Sequence, residues 1–191
     1  MTSTFERAVF VDRDGTLIEE VGYLDRVDRV AFFPWTIAAV RALNRAGLAV
    51  VMVSNQSGLA RGFFNESVVQ DVHQRIAEML DAGDAHIDAY YYCPHHPDGK
   101  VAGLGIVCEC RKPARGLVDR AVREFGIDPE RSFVIGDRWV DVGLARAIGA
   151  KGVLVRTGYG DVEERMPPRG MTADAVVDNL VAASSWILNT L

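Results

Sequence analysis

Two carboxylates stand one residue apart near the start of the chain, in the segment Asp12-Arg13-Asp14-Gly15-Thr16. They follow residues 8–11, an apolar run typical of a buried strand, and the glycine after them predicts a sharp turn. In α/β sheets, ligands bind in the crevice beyond the carboxyl ends of the strands. Such a pair can supply a nucleophile, a general acid or a metal ligand, although Asp and Gly are also common turn residues.

Further polar residues follow later predicted strands. Ser54 and Asp137 each come directly after an apolar run that predicts a buried strand. Asp141 stands one helical turn beyond Asp137, and Lys112 stands just before a predicted helix. Because parallel strands end at the same edge of a sheet, we expect these side chains to meet at one rim. Clustered carboxylates repel one another at neutral pH, and their hard oxygen atoms together with a substrate phosphate favour Mg²⁺.

The elements that must position these residues alternate between strand and helix. Apolar runs predict strands at residues 8–11, 48–53, 89–92, 132–135 and 151–155, with an edge strand at 174–177. Helical spacing predicts a helix that starts at Pro34 and ends at Gly47, one capped by Asn65-Glu66-Ser67, and others at residues 116–125, 144–148 and 180–188. This alternation predicts an α/β fold with a Rossmann-like, mostly parallel sheet and helices on both faces. No segment is long enough for a large cap domain, so we expect residues 1–191 to form a single domain with an open site.

The composition argues against several classes of function. Of the 191 residues, 49% are hydrophobic and 25% are charged, and the net charge is −5. An acidic chain is a poor ligand for nucleic acid or an anionic membrane, although a local cationic cluster can still bind a small phosphorylated molecule. The sequence has no apolar run of 18 residues, and its first residues lack a secretion signal. We therefore expect a cytoplasmic protein, for which a monomer would suffice.

Residues 93–110 break the helix and strand pattern and contain all three cysteines. They carry a C-x-H…C-x-C pattern formed by Cys93, His95, Cys108 and Cys110. Three thiolates and one imidazole suit a tetrahedral, structural Zn²⁺. Disulfides are one alternative, although three cysteines leave one unpaired and a cytoplasmic chain rarely forms them. Buried free cysteines are another, but a polar, glycine-rich loop offers little core in which to bury them. We favour zinc, because a loop of this length is unusual without a stabilising element.

The segment Asp12-Arg13-Asp14-Gly15-Thr16 resembles the D-x-D-G-T first motif of the haloacid dehalogenase (HAD) superfamily of phosphatases. Ser54, Lys112 and Gly136-Asp137 with Asp141 resemble the second, third and fourth motifs of that superfamily, in the expected order. The resemblance covers nearly the whole chain. It implies a Mg²⁺-dependent phosphatase that works through an aspartyl-phosphate intermediate.

The resemblance also implies a role for each motif residue. Asp12 would attack the phosphorus atom, and Asp14 would protonate the leaving alcohol and then deprotonate the attacking water. Ser54 and Lys112 would hold the phosphoryl oxygens. The implied Mg²⁺ ligands are Asp12, the backbone carbonyl of Asp14, and Asp137, with Asp141 orienting a bound water or Lys112.

Within this superfamily, the chain is similar to the subgroup with a zinc loop, which includes heptose 1,7-bisphosphate 7-phosphatases and histidinol-phosphate phosphatases. Residues 54–64 resemble the heptose enzymes, because the histidinol enzymes typically carry an acidic residue where Ser57 stands. The family spacing favours His95 over His96 as the zinc ligand, and Arg111 would contact the distal phosphate. The resemblance implies substrate contacts at Glu20, Val21, Gly22, Tyr23, Asn55, Gln56, Ser57, Arg111 and Arg138.

The sequence leaves three other functions open. A histidinol-phosphate phosphatase or another sugar-phosphate phosphatase would apply the same chemistry to a different substrate. A degenerate member would bind a phosphosugar without hydrolysing it, although the complete set of motif residues argues against this. A polynucleotide 3′-phosphatase is disfavoured by the acidic charge balance and by the lack of aromatic residues interleaved with basic ones.

Overall fold

The computed structural model describes residues 5–191, and in that range the chain forms one six-stranded sheet. The strands are β1 (Ala8–Val11), β2 (Ala49–Asn55), β3 (Ala89–Cys93), β4 (Phe133–Gly136), β5 (Lys151–Val155) and β6 (Ala175–Val177). Their order is β3-β2-β1-β4-β5-β6, and every neighbouring pair is parallel. In this Rossmann order the chain moves outward from β1 and then returns to its other side. The reversal creates a crevice at the carboxyl ends of β1 and β4, where a ligand is expected.

Helices cover both faces of this sheet. They are α1 (Thr36–Arg45), α2 (Ser57–Arg61), α3 (Glu66–Asp81), α4 (Gly116–Phe125), α5 (Trp139–Ile148), α6 (Gly160–Glu164) and α7 (Leu180–Leu188), with short 3-10 helices at Val27–Arg29 and Pro129–Arg131. None of the helices in the described range is long and apolar enough to cross a membrane. Helices α1, α3 and α7 pack on one face of the sheet, and α4 and α5 on the other. Because both faces are covered, the strands are continuous apolar runs rather than alternating ones.

Strand β1 shows how the two faces are filled. Val9 and Val11 belong to the core under α1, α3 and α7, whereas Ala8 and Phe10 belong to the core under α4 and α5. Successive side chains of a strand point to opposite faces, so both cores depend on this one strand. All four side chains are fully buried. Burial of a Val or Phe side chain contributes roughly 1.5–3 kcal/mol, so the strand that leads into the site is held firmly on both sides.

The predicted α/β fold is confirmed, with differences in detail. The sheet is entirely parallel, and β4 is displaced by one residue from its predicted position. Helix α1 begins at Thr36 because Pro34 lies in the turn before it, and α5 begins at Trp139, earlier than predicted. Asn65 caps α3 through its side chain, as predicted. The short helices α2 and α6 have no predicted counterpart, because five residues are too few to show a helical period.

Two connections reach over the carboxyl edge of the sheet. Residues 12–35, between β1 and α1, contain the 3-10 helix Val27–Arg29 and two isolated β-bridges. The connection between β2 and β3 consists of α2 and α3 with their loops. Within residues 5–191, neither connection adds a strand outside the main sheet. The crevice is therefore lined by loops, and these must supply the groups that recognise a ligand.

Candidate active site

The cluster at the carboxyl ends of β1 and β4 is built around Lys112. Asp12 directly follows β1, Asp141 lies in the first turn of α5, and Lys112 lies in the loop before α4. The Lys112 Nζ atom lies 2.6 Å from Asp12 Oδ1 and 2.6 Å from Asp141 Oδ1. It also donates to the Val53 carbonyl oxygen at 2.8 Å. One buried cation is thus shared between two buried carboxylates from different parts of the chain.

Negative charge exceeds positive charge in this cluster. Burial, opposed by the Lys112 charge and assisted by the charge of Asp141, raises the pKa of Asp12 to about 7. Burial and the charges of Asp12 and Asp141 raise the pKa of Asp137 to about 8. Burial disfavours a charged amine, but the two neighbouring carboxylates outweigh it and raise the pKa of Lys112. Burial is the main cause of both carboxylate shifts, and the charges of the neighbouring carboxylates add to it. One lysine therefore stands against three acidic side chains in this cluster.

Three carboxylates of the cluster can hold a metal ion. Asp12, Asp137 and Asp141 each offer an oxygen atom, and these atoms lie within 4.8 Å of one another. Asp137 is fully buried, and its Oδ2 atom accepts the backbone N–H of Tyr159 at 2.8 Å. Its Oδ1 atom has no hydrogen-bond partner among residues 5–191. Hard carboxylate oxygens, one of them buried and unpartnered, fit Mg²⁺.

Two glycines make room for the Asp137 carboxylate. Gly15 follows β1 and Gly158 follows β5, and their φ angles are +78° and +57°. A Cβ atom on either glycine would lie 2.2 Å from Asp137 Oδ2. A left-handed backbone and a missing side chain are therefore both needed at these positions. The glycine of the D-x-D-G-T motif thus serves a carboxylate that comes from the end of another strand, β4.

A second buried network links the loops after β1 and β2. The Arg13 guanidinium contacts the Asp14 carboxylate at 2.9–3.1 Å and donates to Gln56 Oε1 at 2.9 Å. The Gln56 amide donates to Asp14 Oδ2 at 2.9 Å and to Ser54 Oγ at 2.6 Å. Arg13, Gln56 and Ser54 are buried. Polar groups in such a network depend on one another rather than on water.

Both networks open on one cavity of about 620 Å³. The residues predicted from the sequence that line it are Asp12, Asp14, Glu20, Gly22, Tyr23, Ser54, Asn55, Gln56, Ser57, Cys108, Arg111, Lys112, Arg138 and Asp141. Asp137 is not part of the lining, because it is fully buried against Gly15 and Gly158. Val21 instead packs against the core under α1, α3 and α7. A cavity of this size is typical of small-molecule sites.

Two arginines supply further positive charge at this cavity. Arg111 donates to the His95 carbonyl oxygen at 3.3 Å. Arg138 is about half exposed, and its guanidinium carbon lies 4.8 Å from the centre of the Tyr159 ring. Asn55 fixes the backbone of Lys112, the residue that follows Arg111. The Asn55 Nδ2 atom donates to the Lys112 carbonyl oxygen at 3.1 Å, and the Asn55 Oδ1 atom accepts the Lys112 N–H at 2.9 Å. The two guanidinium groups are therefore placed to contact an anionic part of a ligand.

Several residues of the cavity wall were not predicted from the sequence. Tyr159 lines the cavity between Arg138 and the buried Asp137, to which its N–H donates. Ile106 and Val107, in the loop of residues 93–110, line it with exposed fractions of 45% and 85%. Other unpredicted residues of the wall are Leu24, Gly58, Phe64, Pro97, Pro113 and Val140. Apolar residues in irregular loops show no periodicity, and Tyr159 precedes a helix too short to be predicted.

The loop of residues 93–110 brings four soft metal ligands together. The sulfur atoms of Cys93, Cys108 and Cys110 lie 3.0–3.5 Å apart. The His95 Nδ1 atom lies 3.3 Å from Cys110 Sγ and 3.8 Å from Cys93 Sγ. All three thiols are free, and their separations exceed the ~2.05 Å of a disulfide bond. This donor set fits a tetrahedral Zn²⁺, whose bonds to sulfur and nitrogen are about 2.0–2.3 Å long.

His96 is not a member of this cluster. Its Nδ1 atom accepts the backbone N–H of Asp98 at 3.1 Å, and its Nε2 atom lies 3.3 Å from the Arg61 guanidinium. The four clustered ligands are Cys93, His95, Cys108 and Cys110. The preference for His95 over His96 therefore agrees with the arrangement of the loop.

Known proteins resemble this chain over nearly its whole length. The family model for polynucleotide kinase 3 phosphatase matches residues 7–143, and the HAD-hydrolase-like model matches residues 109–183. The D-glycero-beta-D-manno-heptose-1,7-bisphosphate 7-phosphatase of Yersinia pestis is 40% identical over 186 residues, which cover 96% of this chain and 90% of that protein. The D-glycero-D-manno-heptose-1,7-bisphosphate 7-phosphatase of Thermosynechococcus vestitus is 40% identical over 189 residues, covering 96% of each chain. This chain belongs to the heptose-1,7-bisphosphate 7-phosphatase family.

Solved structures of the heptose-bisphosphate phosphatase family share the fold. The D,D-heptose 1,7-bisphosphate phosphatase from B. bronchiseptica, complexed with magnesium and phosphate, has a TM-score of 0.85 at 28% identity, covering 98% of this chain and 100% of that one. The enzyme from Burkholderia thailandensis has a TM-score of 0.70 at 26% identity, covering 96% and 99%. The predicted HAD-like fold is therefore confirmed.

Membership in the heptose-bisphosphate phosphatase family tests two predictions made from the sequence. The assignment to HAD phosphatases, based on the D-x-D-G-T segment and the later motifs, is confirmed. So is the prediction, based on residues 54–64, that the heptose enzymes are the relevant subgroup. The magnesium in the B. bronchiseptica enzyme agrees with the hard donor set of Asp12, Asp137 and Asp141.

Proposed function

We propose that this chain hydrolyses the 7-phosphate of D-glycero-D-manno-heptose 1,7-bisphosphate, as a step in forming nucleotide-activated heptose for lipopolysaccharide. One observation carries the proposal: separate loops bring to one cavity the side chains of Asp12, Asp14, Ser54 and Lys112. Membership in the heptose-bisphosphate phosphatase family, at 40% identity over nearly the whole chain, supports the choice of substrate. The groups required for a two-step phosphoryl transfer are thus present together.

The reaction begins when the Asp12 carboxylate attacks the phosphorus atom of the 7-phosphate. A bond from Asp12 to phosphorus forms while the bond from phosphorus to the sugar oxygen breaks, and Asp14 gives its proton to that departing oxygen. In the second step Asp14 takes a proton from a water molecule that attacks the phosphorus atom. This step releases inorganic phosphate and restores Asp12. Ser54 and Lys112 donate to the phosphoryl oxygens throughout.

Lys112 has a second task, because a nucleophilic carboxylate must be ionised. Burial favours the neutral form of Asp12, and the Lys112 ammonium group, 2.6 Å away, favours the charged form. Asp141 holds the same ammonium group at 2.6 Å. We therefore assign to Asp141 the role of positioning Lys112, which keeps one cation between the nucleophile and the phosphoryl oxygens.

For the metal, we propose that Asp12, Asp137 and the backbone carbonyl of Asp14 hold Mg²⁺, with Asp141 beside them. The unpartnered Oδ1 atom of Asp137 supports this assignment. When bound, the ion would polarise a phosphoryl oxygen and offset the repulsion between the phosphate and the carboxylates. The excess negative charge of the cluster is the physical reason for requiring a cation.

The second phosphate of the substrate is assigned to Arg111, with Arg138 as a further cation. Both guanidinium groups line the cavity. Arg111 donates one N–H to the His95 carbonyl oxygen and Arg138 lies 3.7 Å from Glu163 Oε1, and their remaining N–H groups can form charge-assisted hydrogen bonds. The sugar hydroxyl groups are assigned to the surrounding loop residues Glu20, Val21, Gly22, Tyr23, Asn55 and Ser57. The amide of Gln56, the other contact that the resemblance implies, is instead engaged by Asp14 and Ser54. For Val21 only the backbone is a candidate, because its side chain packs against the core.

We propose that the cluster Cys93, His95, Cys108 and Cys110 binds a structural Zn²⁺. The loop that it closes runs directly into Arg111 and Lys112. Ion binding would therefore fix the two cations that face the substrate, although the ion itself lies outside the chemistry. Four ligands leave no open coordination position, which is typical of structural zinc.

We further propose that the chain acts as one phosphatase domain, residues 1–191, with the zinc loop at about 93–110. A monomer is proposed because the motif residues Asp12, Asp14, Ser54, Lys112 and Asp137 all belong to one chain, so no partner is needed to complete the site. A cytoplasmic location is proposed because three free thiols beside a histidine suit a reducing compartment. The only partner required is the small phosphosugar.

The proposal is tested by a panel of Mg²⁺-dependent phosphate-release assays. The substrates are α- and β-heptose 1,7-bisphosphate, fructose 1,6-bisphosphate, histidinol phosphate and a 3′-phosphorylated oligonucleotide. We expect the highest kcat/KM for a heptose bisphosphate and no turnover by Asp12→Asn. Histidinol phosphate or the oligonucleotide as the best substrate would overturn the assignment of substrate, and full activity of Asp12→Asn would overturn the mechanism.

A further inference from the structure

We propose that Arg13 and Gln56 form a buried clamp that sets the position of the Asp14 carboxylate, and that both act as positioning residues for proton transfer. The inference rests on the proposed acid–base role of Asp14. It assigns a role to Arg13, the variable residue of the D-x-D-G-T motif, for which the sequence alone predicted none. It also changes the role of Gln56 from a substrate contact to a support for Asp14.

The Arg13 side chain is held on the Asp14 carboxylate by more than one hydrogen bond. Its Nε atom lies 3.1 Å from both carboxylate oxygens, and its Nη2 atom lies 3.0 Å from Oδ1. The Arg13 side chain is only 2% exposed, whereas that of Asp14 is 18% exposed. A buried guanidinium group is costly unless it is paired. Arg13 therefore has a strong preference for the arrangement in which Asp14 stays beside it.

Gln56 holds the same carboxylate from the other loop. Its Oε1 atom accepts from Arg13 at 2.9 Å, and because a guanidinium group can only donate, the amide oxygen must face Arg13. The amide nitrogen is thereby directed to Asp14 Oδ2 at 2.9 Å and to Ser54 Oγ at 2.6 Å. The orientation of the amide is fixed by its partners.

This arrangement leaves Gln56 with no donor for a sugar. A primary amide has two N–H groups, and both are used, one by Asp14 and one by Ser54. The Ser54 hydroxyl oxygen accepts from Gln56, so its own proton remains free to donate to a phosphoryl oxygen. Gln56 thus orients two groups that face the phosphate while being only 4% exposed itself.

A clamp on the general acid has a specific kinetic consequence. Loss of an alcohol requires a proton at the departing oxygen, whereas p-nitrophenolate leaves without one. A variant that misplaces Asp14 should therefore lose more activity toward an alkyl phosphate than toward an aryl phosphate. A variant that is merely destabilised, or that binds phosphate less well, should lose activity toward both substrates alike.

The test compares kcat/KM for p-nitrophenyl phosphate with kcat/KM for whichever alkyl phosphate of the assay panel is the best substrate. The variants are Gln56→Met, which keeps the size of the side chain, and Arg13→Lys, which keeps the charge but loses the guanidinium fork. We expect the alkyl-to-aryl ratio to fall at least about tenfold in both, since general acid catalysis is worth about 10²–10⁴-fold. Lys112→Arg is the control, because it disturbs a phosphoryl contact that lies outside the clamp and should change the ratio by less than about threefold.

Asp14→Asn separates failure of the clamp from failure of the proposed mechanism. If Asp14→Asn does not lower the alkyl-to-aryl ratio, then Asp14 is not the general acid, and the proposed mechanism requires a different residue in that role. If Asp14→Asn lowers the ratio but Gln56→Met and Arg13→Lys do not, the clamp is wrong and the mechanism stands. If the alkyl-to-aryl ratio falls in all three variants, both the clamp and the acid–base role of Asp14 are supported.

Discussion

Lys112 and Asp141 form an ion pair of 2.6 Å in which the two side chains are 2% and 1% exposed. Asp141 orients the ammonium group, which also contacts Asp12. We expect Asp141→Asn to lower kcat by at least about tenfold, because small displacements of a catalytic group cost factors of this size or more. The measurement is the steady-state rate of Mg²⁺-dependent phosphate release.

A double-mutant cycle distinguishes this role from a general effect on the fold. In a Lys112→Met background, Asp141→Asn should have little further effect on kcat, because residues that act as a unit are not additive. Asp161→Asn is the surface control, since Asp161 pairs with Arg165 in an exposed i,i+4 ion pair. Additive losses in the cycle would contradict the assigned role of Asp141.

The two neighbouring histidines allow a test of the zinc site. His95 lies in the cysteine cluster and His96 does not. We expect Cys108→Ser and His95→Ala to contain less zinc per chain, by metal analysis, and to lose activity, because the loop carries Arg111 and Lys112. His96→Ala should retain its zinc. Full activity and unchanged metal content of Cys108→Ser would contradict the assignment of a structural zinc site.

Arg111 should matter more for a bisphosphate than for a monophosphate. Its guanidinium group lines the cavity and is proposed to contact the distal phosphate. A hydrogen bond to a charged group is worth about 1.5–3 kcal/mol, so Arg111→Gln should lower kcat/KM for the bisphosphate about 10- to 100-fold. The loss should be several-fold smaller for the corresponding 7-monophosphate. Arg115→Gln is the control, because Arg115 is exposed and pairs with Asp119.

His73 should make the protein less stable in mild acid. Its ring stacks on Tyr90, contacts the edge of Tyr92, and has an unpartnered Nε2 atom among residues 5–191. Burial and the nearby Arg13 charge, opposed by Asp14, lower the pKa of His73 from 6.5 to about 4. Below pH 6.5 the unfolded chain therefore binds a proton that the folded chain does not. Stability from the neutral imidazole is lost as the pH falls from 6.5 to 4.

The effect is measured by urea denaturation at pH 7 and pH 4.5. Between these values, wild type should lose about 2 kcal/mol more unfolding free energy than His73→Phe, which keeps the stacked ring but cannot be protonated. His86→Phe is the control, because the His86 side chain is 65% exposed. An equal pH dependence of wild type and His73→Phe would show that this imidazole is not the group involved.

The sequence was sufficient to predict the strands, the longer helices and the rim of the site. Asp12 and Asp137 follow the apolar strands β1 and β4, Ser54 lies at the end of β2, and the parallel order of the sheet brings those ends together. The cysteine spacing likewise predicted the cluster that the loop forms. These features depend on local pattern and on the geometry of a parallel sheet, both of which can be read from residue order.

The remaining features depend on tertiary contacts that no local pattern encodes. The orientation of Gln56 follows from Arg13, which belongs to a different loop, and the family resemblance, which does not show this contact, implied a substrate contact instead. Tyr159 enters the cavity wall because its N–H reaches Asp137 from the loop after β5. Val21 stands among predicted contacts, but its side chain turns to the core. Each of these outcomes depends on a neighbour distant in sequence.

The burial of Asp137 against Gly15 and Gly158 has a consequence for the order of events in turnover. Asp137 does not line the cavity, whereas Asp12 and Asp141, which share its cluster, do. We expect a cation to enter the cluster from the cavity, past those two side chains, which is also the side from which the phosphosugar would enter. A bound phosphosugar would then bar the ion from leaving, so we expect the ion to arrive first and depart last.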